Sequence, residues 1–312
     1  MAISNPVEVT VIIPTMADMR RRDSLFRAID SVIAASTRPV HIVVVANGNR
    51  RSAEVENALR NRNHLELLSL DVGSLPLALL VGRQAVKTPY FAFLDDDDEY
   101  LPGAIDARVA ALASDDSCDF VVTNGYRYLD TGERRAADRL YLRNQDKISM
   151  APLAALFYQN WLPSSCAGLF RSARIGVEYF EEPHPYAEWT WLAFKLCMAG
   201  KKVAVLDQPT FRINDTPDSL SKSSAYGEAY DELYQKMLAM NPPKSIATMI
   251  RAHIGRNFHH QADMLRKQRE WRAAWNAHLK SLFYPGGLKY LPFSRHLVFL
   301  PAKENDWSPV VK

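Results

Sequence analysis

"PYFAFLDDDDEYLPG", residues 89–103, places four consecutive aspartates directly behind a short apolar run. "YFAFL" (90–94) reads as a buried strand, and "PGAIDARVAALAS" (102–114) as the helix that follows it. Adjacent carboxylates repel one another, so the cluster needs a neutralising partner. A hard divalent cation, Mg²⁺ or Mn²⁺, takes one or two carboxylates together with substrate phosphates. The alternative is an acidic cap on the next helix within a solvated loop, favourable by roughly 0.3–1 kcal/mol. A cap needs one acid and this strand end has four, which weights the reading toward metal and phosphate.

Upstream, "VEVTVIIP" (7–14) reads as a strand closed by Pro14, and "HIVVVANGN" (41–49) as a second with a turn at Asn47-Gly48. "SLFRAIDSVIAAS" (24–36) has helical spacing behind Ser24, a candidate cap. "SAEVENALRNR" (52–62) and "LPLALLVGRQAVK" (75–87) are helical and flank a strand, "LELLSL" (65–70). Such alternation predicts an α/β fold, a mostly parallel sheet with helices on both faces. Ligands bind such sheets at the carboxyl ends of strands. Pro14-Thr15, Asn47-Gly48 and Asp95–Asp98 all follow strand ends, so one rim collects all three.

From about residue 115 the pattern is less regular. "DFVVTNGYRYL" (119–129) reads as a strand and turn, and "EWTWLAFKLCMAG" (188–200) as a helix closed by Gly200. "KKVAVLD" (201–207) is a strand, and "NDTPDSLSKSS" (214–224) is loop by composition. The 312 residues, 47% hydrophobic and 23% charged, belong to a globular rather than a disordered chain. Cys118, Cys166 and Cys197 match no metal spacing and point to a reducing, cytoplasmic compartment. "MAISNPVEVTVIIPT" lacks the pattern of a signal peptide, and no run approaches the roughly 18 apolar residues of a spanning helix. The net charge of +3 conceals an asymmetry, −3 over residues 1–224 and +6 over 225–312. The expected division is therefore a nucleotide-binding, catalytic domain at 1–224 and a basic, aromatic-rich helical extension at 225–312.

"VTVIIPT", the strand ending in "NGN", "PYFAFLDDDDEYLPG" and "AEWTWLAFKLCMAGKKVAVLDQPTFRINDTPDSLS" (187–221) together resemble the inverting family 2 glycosyltransferases of the GT-A fold, over roughly residues 7–224. The resemblance implies a Rossmann-like GT-A domain and a metal-dependent enzyme. Such an enzyme moves a sugar, with inversion, from a nucleoside-diphosphate donor to a hydroxyl of a glycan or glycolipid acceptor. It further implies bacterial surface polysaccharide or lipid-linked glycan synthesis. By the same resemblance Pro14 and Thr15 meet the nucleotide. Asp95 is the first acid of Asp-x-Asp, near the ribose, with Asp96 beside it on the donor side. Asp97 is the ligand of Mn²⁺ or Mg²⁺, and Asn214 stands where many relatives carry a metal-binding histidine. Glu188 falls at the general base, with Trp189 and Arg212 as acceptor contacts.

Glu188 also has a physical case, since displacement at an anomeric carbon needs one base opposite the leaving diphosphate. Its plain alternative is a first-turn acid favourable to the helix dipole. Several positions depart from the family pattern. Ala46 replaces a base-reading aspartate, leaving Asn47 either to read the base or to fill the turn. Leu79-Leu80 replaces an Arg-Asn pair, leaving Arg83 to reach the phosphates, and Ala187 replaces the first acid of a Glu-Asp pair.

"RRR" (20–22) reads as a solvated helix start ahead of a diphosphate or acceptor contact, and His259-His260 as surface residues. Ser164-Ser165-Cys166 has no nucleophile elbow around it. The absence of a P-loop and of Gly-x-Gly-x-x-Gly argues against a kinase or dehydrogenase. A sugar nucleotidyltransferase is the rival enzyme, but "PTMADMRRRD" (14–23) lacks the glycine-rich loop it wants. Ala46, Ala187 and Asn214 keep a non-catalytic binding subunit as a further rival. In the extension Trp271, Trp275, His278, Leu279 and Leu282 recur at helical spacing, with Arg272 and Lys280 among them. They suit either peripheral contact with the inner face of an anionic membrane or packing on the domain or on a second subunit, as a homo-oligomer. Nucleic acid is excluded as a partner by the modest charge and the missing motifs.

Overall fold

The computed structural model describes residues 6–129, 134–140, 145–215 and 224–298. Its strands are β1 (Val9–Thr15), β2 (Val40–Asn47), β3 (Leu65–Leu70), β4 (Tyr90–Phe93), β5 (Glu99–Tyr100), β6 (Phe120–Leu129), β7 (Arg134–Leu140), β8 (Gly168–Arg171) and β9 (Val203–Asp215). The helices are α1 (Arg22–Ala34), α2 (Ala53–Arg60), α3 (Leu75–Ala85), α4 (Ala104–Ser114), α5 (Gln145–Met150), α6 (Pro152–Tyr158), α7 (Glu188–Met198), α8 (Ser224–Ala239), α9 (Lys244–Lys267), α10 (Trp271–Leu282) and α11 (Arg295–Val298). The chain divides into two compact units, Met1–Tyr230 and Asp231–Lys312, with the boundary inside α8 rather than at residue 224.

In the first unit the strands form one sheet in the order β3-β2-β1-β4-β8-β6-β9-β5, with β7 also paired to β6. β3, β2, β1 and β4 run parallel. β1 is buried along its whole length and β2 nearly so, as expected of central strands covered on both faces. Past β4 the direction alternates: β8 is antiparallel to both β4 and β6, β9 is parallel to β6, and β5 is antiparallel to β9. The parallel strands read from the sequence are therefore present, but they make one half of a mixed sheet whose other half is largely antiparallel. Strands β5, β7 and β8 were not foreseen, because two to seven residues of mixed character carry no legible period.

Two local expectations change. Ser24 does not cap α1; its hydroxyl donates to the Arg21 carbonyl at 3.0 Å, and Asp18 Oδ1 accepts from the Arg21 amide at 3.0 Å instead. β6 continues through Asn124-Gly125 without a turn, although its register with β9 shifts there. A Cβ on Gly125 would lie 2.3 Å from the Phe211 ring, so this glycine serves close packing between β6 and β9 rather than a bend. Gly200, by contrast, closes α7 at φ +71° as expected. The "DSLS" segment (218–221) lies outside the described residues.

The second unit packs α9 against α10 through small residues. The buried positions of α10 are Ala274, Ala277, His278 and Ser281. A Cβ on Gly255 of α9 would meet Tyr284 at 2.5 Å. The Trp271/Trp275 stripe is only half-buried and Leu279 is exposed, so the aromatic stripe is not the packed face: close helix approach selects alanine and glycine there. His259 is no surface residue either, since it stacks on Tyr290 with ring centroids 4.0 Å apart. Among the described residues no helix is long and apolar enough to cross a membrane.

In the sheet's first half, Gly82 of α3 faces β1 so closely that a Cβ would fall 2.3 Å from Ile12 Cγ2, in a fully buried layer. Gly82→Ala should lower the unfolding free energy by about 1–3 kcal/mol in a denaturant titration, through overpacking of α3 against β1.

Candidate active site

The carboxyl ends of β1, β2 and β4 lie together. The Asn47 side chain, last in β2, donates to the Thr15 carbonyl at the end of β1 (3.0 Å) and accepts from the Ser74 amide at the start of α3 (3.2 Å). Both ends of its amide are thus engaged by the rim's own backbone, which is the turn-filling reading of Asn47. Pro14 is buried within β1, paired with Val45.

Behind β4 a tight turn, closed by the Asp98 amide on the Asp95 carbonyl at 3.1 Å, splays the four aspartates in different directions. Asp96 turns back to β1, where Thr15 Oγ1 donates to its Oδ2 at 2.6 Å. Asp98 turns toward β9, where its Oδ1 accepts from the Asn214 amide at 3.0 Å. Asp97 lies between them. One nitrogen of Arg21, Nη1, donates to Asp96 Oδ1 at 2.9 Å and to Asp97 Oδ2 at 2.8 Å. The "RRR" run is therefore not a plain solvated helix start: Arg20 is 72% exposed, but Arg21 spans 75 positions of sequence to bridge two of the aspartates. Opposite charge runs, one behind β1 and one behind β4, were the available signal for this contact.

The electrostatics follow from the crowding. Burial, reinforced by Asp97, pushes the Asp95 carboxyl up to about 7. Burial also takes Asp96 up to about 6, against the pull of Arg21. Asp98 is raised well above the usual carboxylate range by burial and by its neighbours Asp97 and Asp95. Burial opposes the charge on Arg21, yet Asp96 and Asp97 hold its guanidinium protonated above the ordinary range. The cluster thus lowers its mutual repulsion by sharing a cation and by retaining protons.

Glu188 opens α7. Its Oε1 accepts from the Tyr186 amide at 3.1 Å, and burial raises its pKa. Its charge is a minor contribution to raising Asp95, after burial and the neighbouring aspartates. Glu188 lines a cavity of about 20 Å³ with Pro76, Leu79, Phe180 and Trp189, room for about one water. Tyr186 holds φ +65° and Ala17, just past β1, φ +49°. Left-handed non-glycine residues of this kind cost about 1–3 kcal/mol and concentrate at functional sites.

Four sequence candidates take other duties. Arg83 donates to the carbonyls of Ser172 (3.0 Å) and Ile175 (2.7 Å) and lies over the Phe91 ring. It ties α3 to the segment after β8, its guanidinium engaged on those carbonyls where a phosphate was expected to meet it. Trp189 is 8% exposed with its ring 5.1 Å from that of Phe93, so it belongs to the core rather than to an acceptor surface. Asn214 does reach the quartet, but its Nδ2 donates to the Asp97 carbonyl (2.6 Å) and its Oδ1 accepts from Arg212 (3.2 Å). It clamps the turn where a metal-binding side chain was expected. Arg212 in turn covers the Tyr128 ring at 4.0 Å.

Residues 10–174 match the family described as Glycosyl transferase family 2. The chain belongs to that family. It is 29% identical over 153 residues to an uncharacterized glycosyltransferase of Rickettsia felis, covering 46% of this chain and 24% of that protein. It is 26% identical over 185 residues to an uncharacterized glycosyltransferase of Rickettsia prowazekii, covering 58% of this chain and 57% of that one. The chain thus spans between a quarter and just over half of these curated relatives. Among solved structures it is similar to residues 1–349 of Staphylococcus aureus TarS in complex with UDP-GlcNAc. There the TM-score is 0.63 at 13% identity, over 88% of this chain and 81% of that one. The fold is accordingly the GT-A type expected from the sequence.

The raised carboxyls of this family 2 site set a pH dependence of stability. Folded Asp95 holds its proton to about pH 7, whereas the unfolded carboxyl loses it near 3.8. Between those values the folded state binds more protons, so stability falls as pH rises, and the loss is complete above about pH 7. Asp95→Asn removes the effect, so its melting temperature relative to wild type should climb from pH 5 to 7 and level off by pH 8. Paired thermal melts read this directly.

Proposed function

We propose that this chain transfers a sugar from a nucleoside-diphosphate donor to an acceptor hydroxyl, with inversion and with a divalent cation, in surface polysaccharide or lipid-linked glycan synthesis. The observation that carries the reading is the Asp95–Asp98 turn at the carboxyl end of β4, tied through Asp96 and Thr15 to the rim that Asn47 also joins. The family match supports the transferase class. The UDP-GlcNAc of the TarS complex supports a nucleotide-sugar donor.

The donor set fits a hard cation, because adjacent carboxylate oxygens already share one positive charge, that of Arg21. Among the described residues no three His, Cys, Asp or Glu side chains gather in metal-binding geometry. The ion proposed is therefore one held by one or two carboxylates and completed by phosphate oxygens. Asp97, with Asp95 beside it, would hold Mn²⁺ or Mg²⁺, which when bound supplies positive charge for the departing diphosphate. Glu188 takes the proton of the acceptor hydroxyl. Its raised pKa makes it a stronger base than an exposed glutamate, and the Tyr186 amide fixes the orientation of Oε1. Thr15 and Asn47 build the rim on which the donor rests.

The second unit carries the acceptor-side proposal. Residues 271–298 contain Arg272, Lys280, Lys289 and Arg295 and no acidic residue. Phe283 is 89% exposed and Leu288 76% exposed among them. Apolar side chains ringed by bases suit the surface of an anionic membrane on the cytoplasmic side, where a lipid-linked acceptor would sit.

Two experiments test these readings. Glu188→Gln should cut turnover of a nucleotide sugar by about 10²–10⁴-fold while leaving the Mn²⁺-dependent thermal shift with nucleoside diphosphates intact. Asp97→Asn should abolish that shift. A wild type whose melting temperature responds to no nucleoside diphosphate with Mn²⁺ would refute the donor reading. Flotation with phosphatidylglycerol vesicles, but not with pure phosphatidylcholine, should carry the protein upward. Lys280→Glu combined with Lys289→Glu should leave it at the bottom of the gradient.

A further inference from the structure

Arg108, Arg83 and Arg21 of the first unit differ in how firmly they are held. Arg108 is fully buried and donates to Cys166 O (2.6 Å), Thr210 Oγ1 (2.6 Å) and Thr123 Oγ1 (3.2 Å). Arg83 is buried on two carbonyls and a phenyl face. Arg21 is different. Its side chain keeps 27% of its exposure, and both of its bonds to the quartet run through the single nitrogen Nη1. The paired fork geometry that makes an arginine–carboxylate contact tight is not used. Its two acceptors also differ: Asp96 is held on its other oxygen by Thr15, whereas Asp97 is the acid assigned above to the cation.

We infer that Arg21 is a resident counter-cation that competes with the divalent ion for Asp97 and passes to the donor's diphosphate when ion and donor bind together. The inference rests on the metal reading of the preceding subsection. A guanidinium on Asp97 and a divalent ion on the same carboxylate repel strongly at such range, so the ion enters only as Arg21 leaves. The displaced head group remains at the rim, where the diphosphate oxygens of the donor would offer planar, bidentate recognition. Arg21 thereby couples two events. The ion alone meets resistance, and the ion with diphosphate does not, because the arginine gains a new anionic partner. Arg21 is a positioning residue for the quartet before binding and a diphosphate contact after it.

The test uses the full chain and two simple probes, Mn²⁺ alone and inorganic pyrophosphate at saturating Mn²⁺, both read by calorimetry. Removing the resident charge in Arg21→Gln should tighten Mn²⁺ alone by about tenfold or more and weaken pyrophosphate by a similar factor. Arg21→Lys, which keeps the charge, should leave Mn²⁺ affinity near that of wild type, and it serves as the folding control if Arg21→Gln is unstable. Opposite movement of the two affinities in Arg21→Gln supports the inference, since a merely structural residue would weaken both. Unchanged or weaker Mn²⁺ binding in Arg21→Gln, beside a wild type that binds Mn²⁺ through Asp97, overturns the inference and leaves the metal reading standing. If wild type takes Mn²⁺ neither alone nor with pyrophosphate, both fall together.

Discussion

Four carboxylates crowded into one turn behind a central strand must be neutralised, and the first unit is arranged around how that is done. Arg21 answers from the loop after β1, Thr15 from the last position of β1, and the Asn214 amide from β9. Each answer comes from a different part of the chain. The turn therefore pins three segments to one another, and the retained protons on Asp95, Asp96 and Asp98 measure what those contacts leave unbalanced. Buried acids whose pKa values are raised by desolvation and by one another mark a candidate functional site.

Aromatic packing sets the distance between this cluster and the candidate base. Phe91 and Phe93 of β4 point into a layer with Phe170, Phe180 and Trp189. The strand that ends in the aspartates and the helix that begins with Glu188 are thereby parts of one rigid core. Trp189 anchors α7 in this layer. Arg83 and Arg108 follow the same logic, their charges turned inward to hold backbone carbonyls and hydroxyls across elements. Arginine in this chain is as often a structural clamp as a ligand for anions.

The second unit is built on a different principle. Alanine, glycine and serine bring α9 and α10 close, and histidines fill the remaining space: His278 bonds Ser294 Oγ at 2.8 Å, and burial keeps its pKa below the usual imidazole value. Leu233, Met237, Ile246, Ile250 and Ile254 are buried beside these small residues, while Phe283 and Leu288 stay exposed.

The alternation of β-branched runs with helical periods was enough to specify a parallel sheet, its first four strands and the rim on which Thr15, Asn47 and the aspartates gather. Hydrophobic period and strand-end chemistry are local properties, written in a few consecutive residues. What no local pattern contains is who meets whom. That Arg21 rather than Arg83 faces the acids, that Asn214 clamps a turn, and that β6 continues through an Asn-Gly pair under Phe211 all depend on partners 75 or more positions away. The sequence by itself determined the strands, the family and the place of the negative charge. The tertiary structure alone decided how that charge is answered, because a long flexible cation can reach many acids and only the packed rim sets it between Asp96 and Asp97.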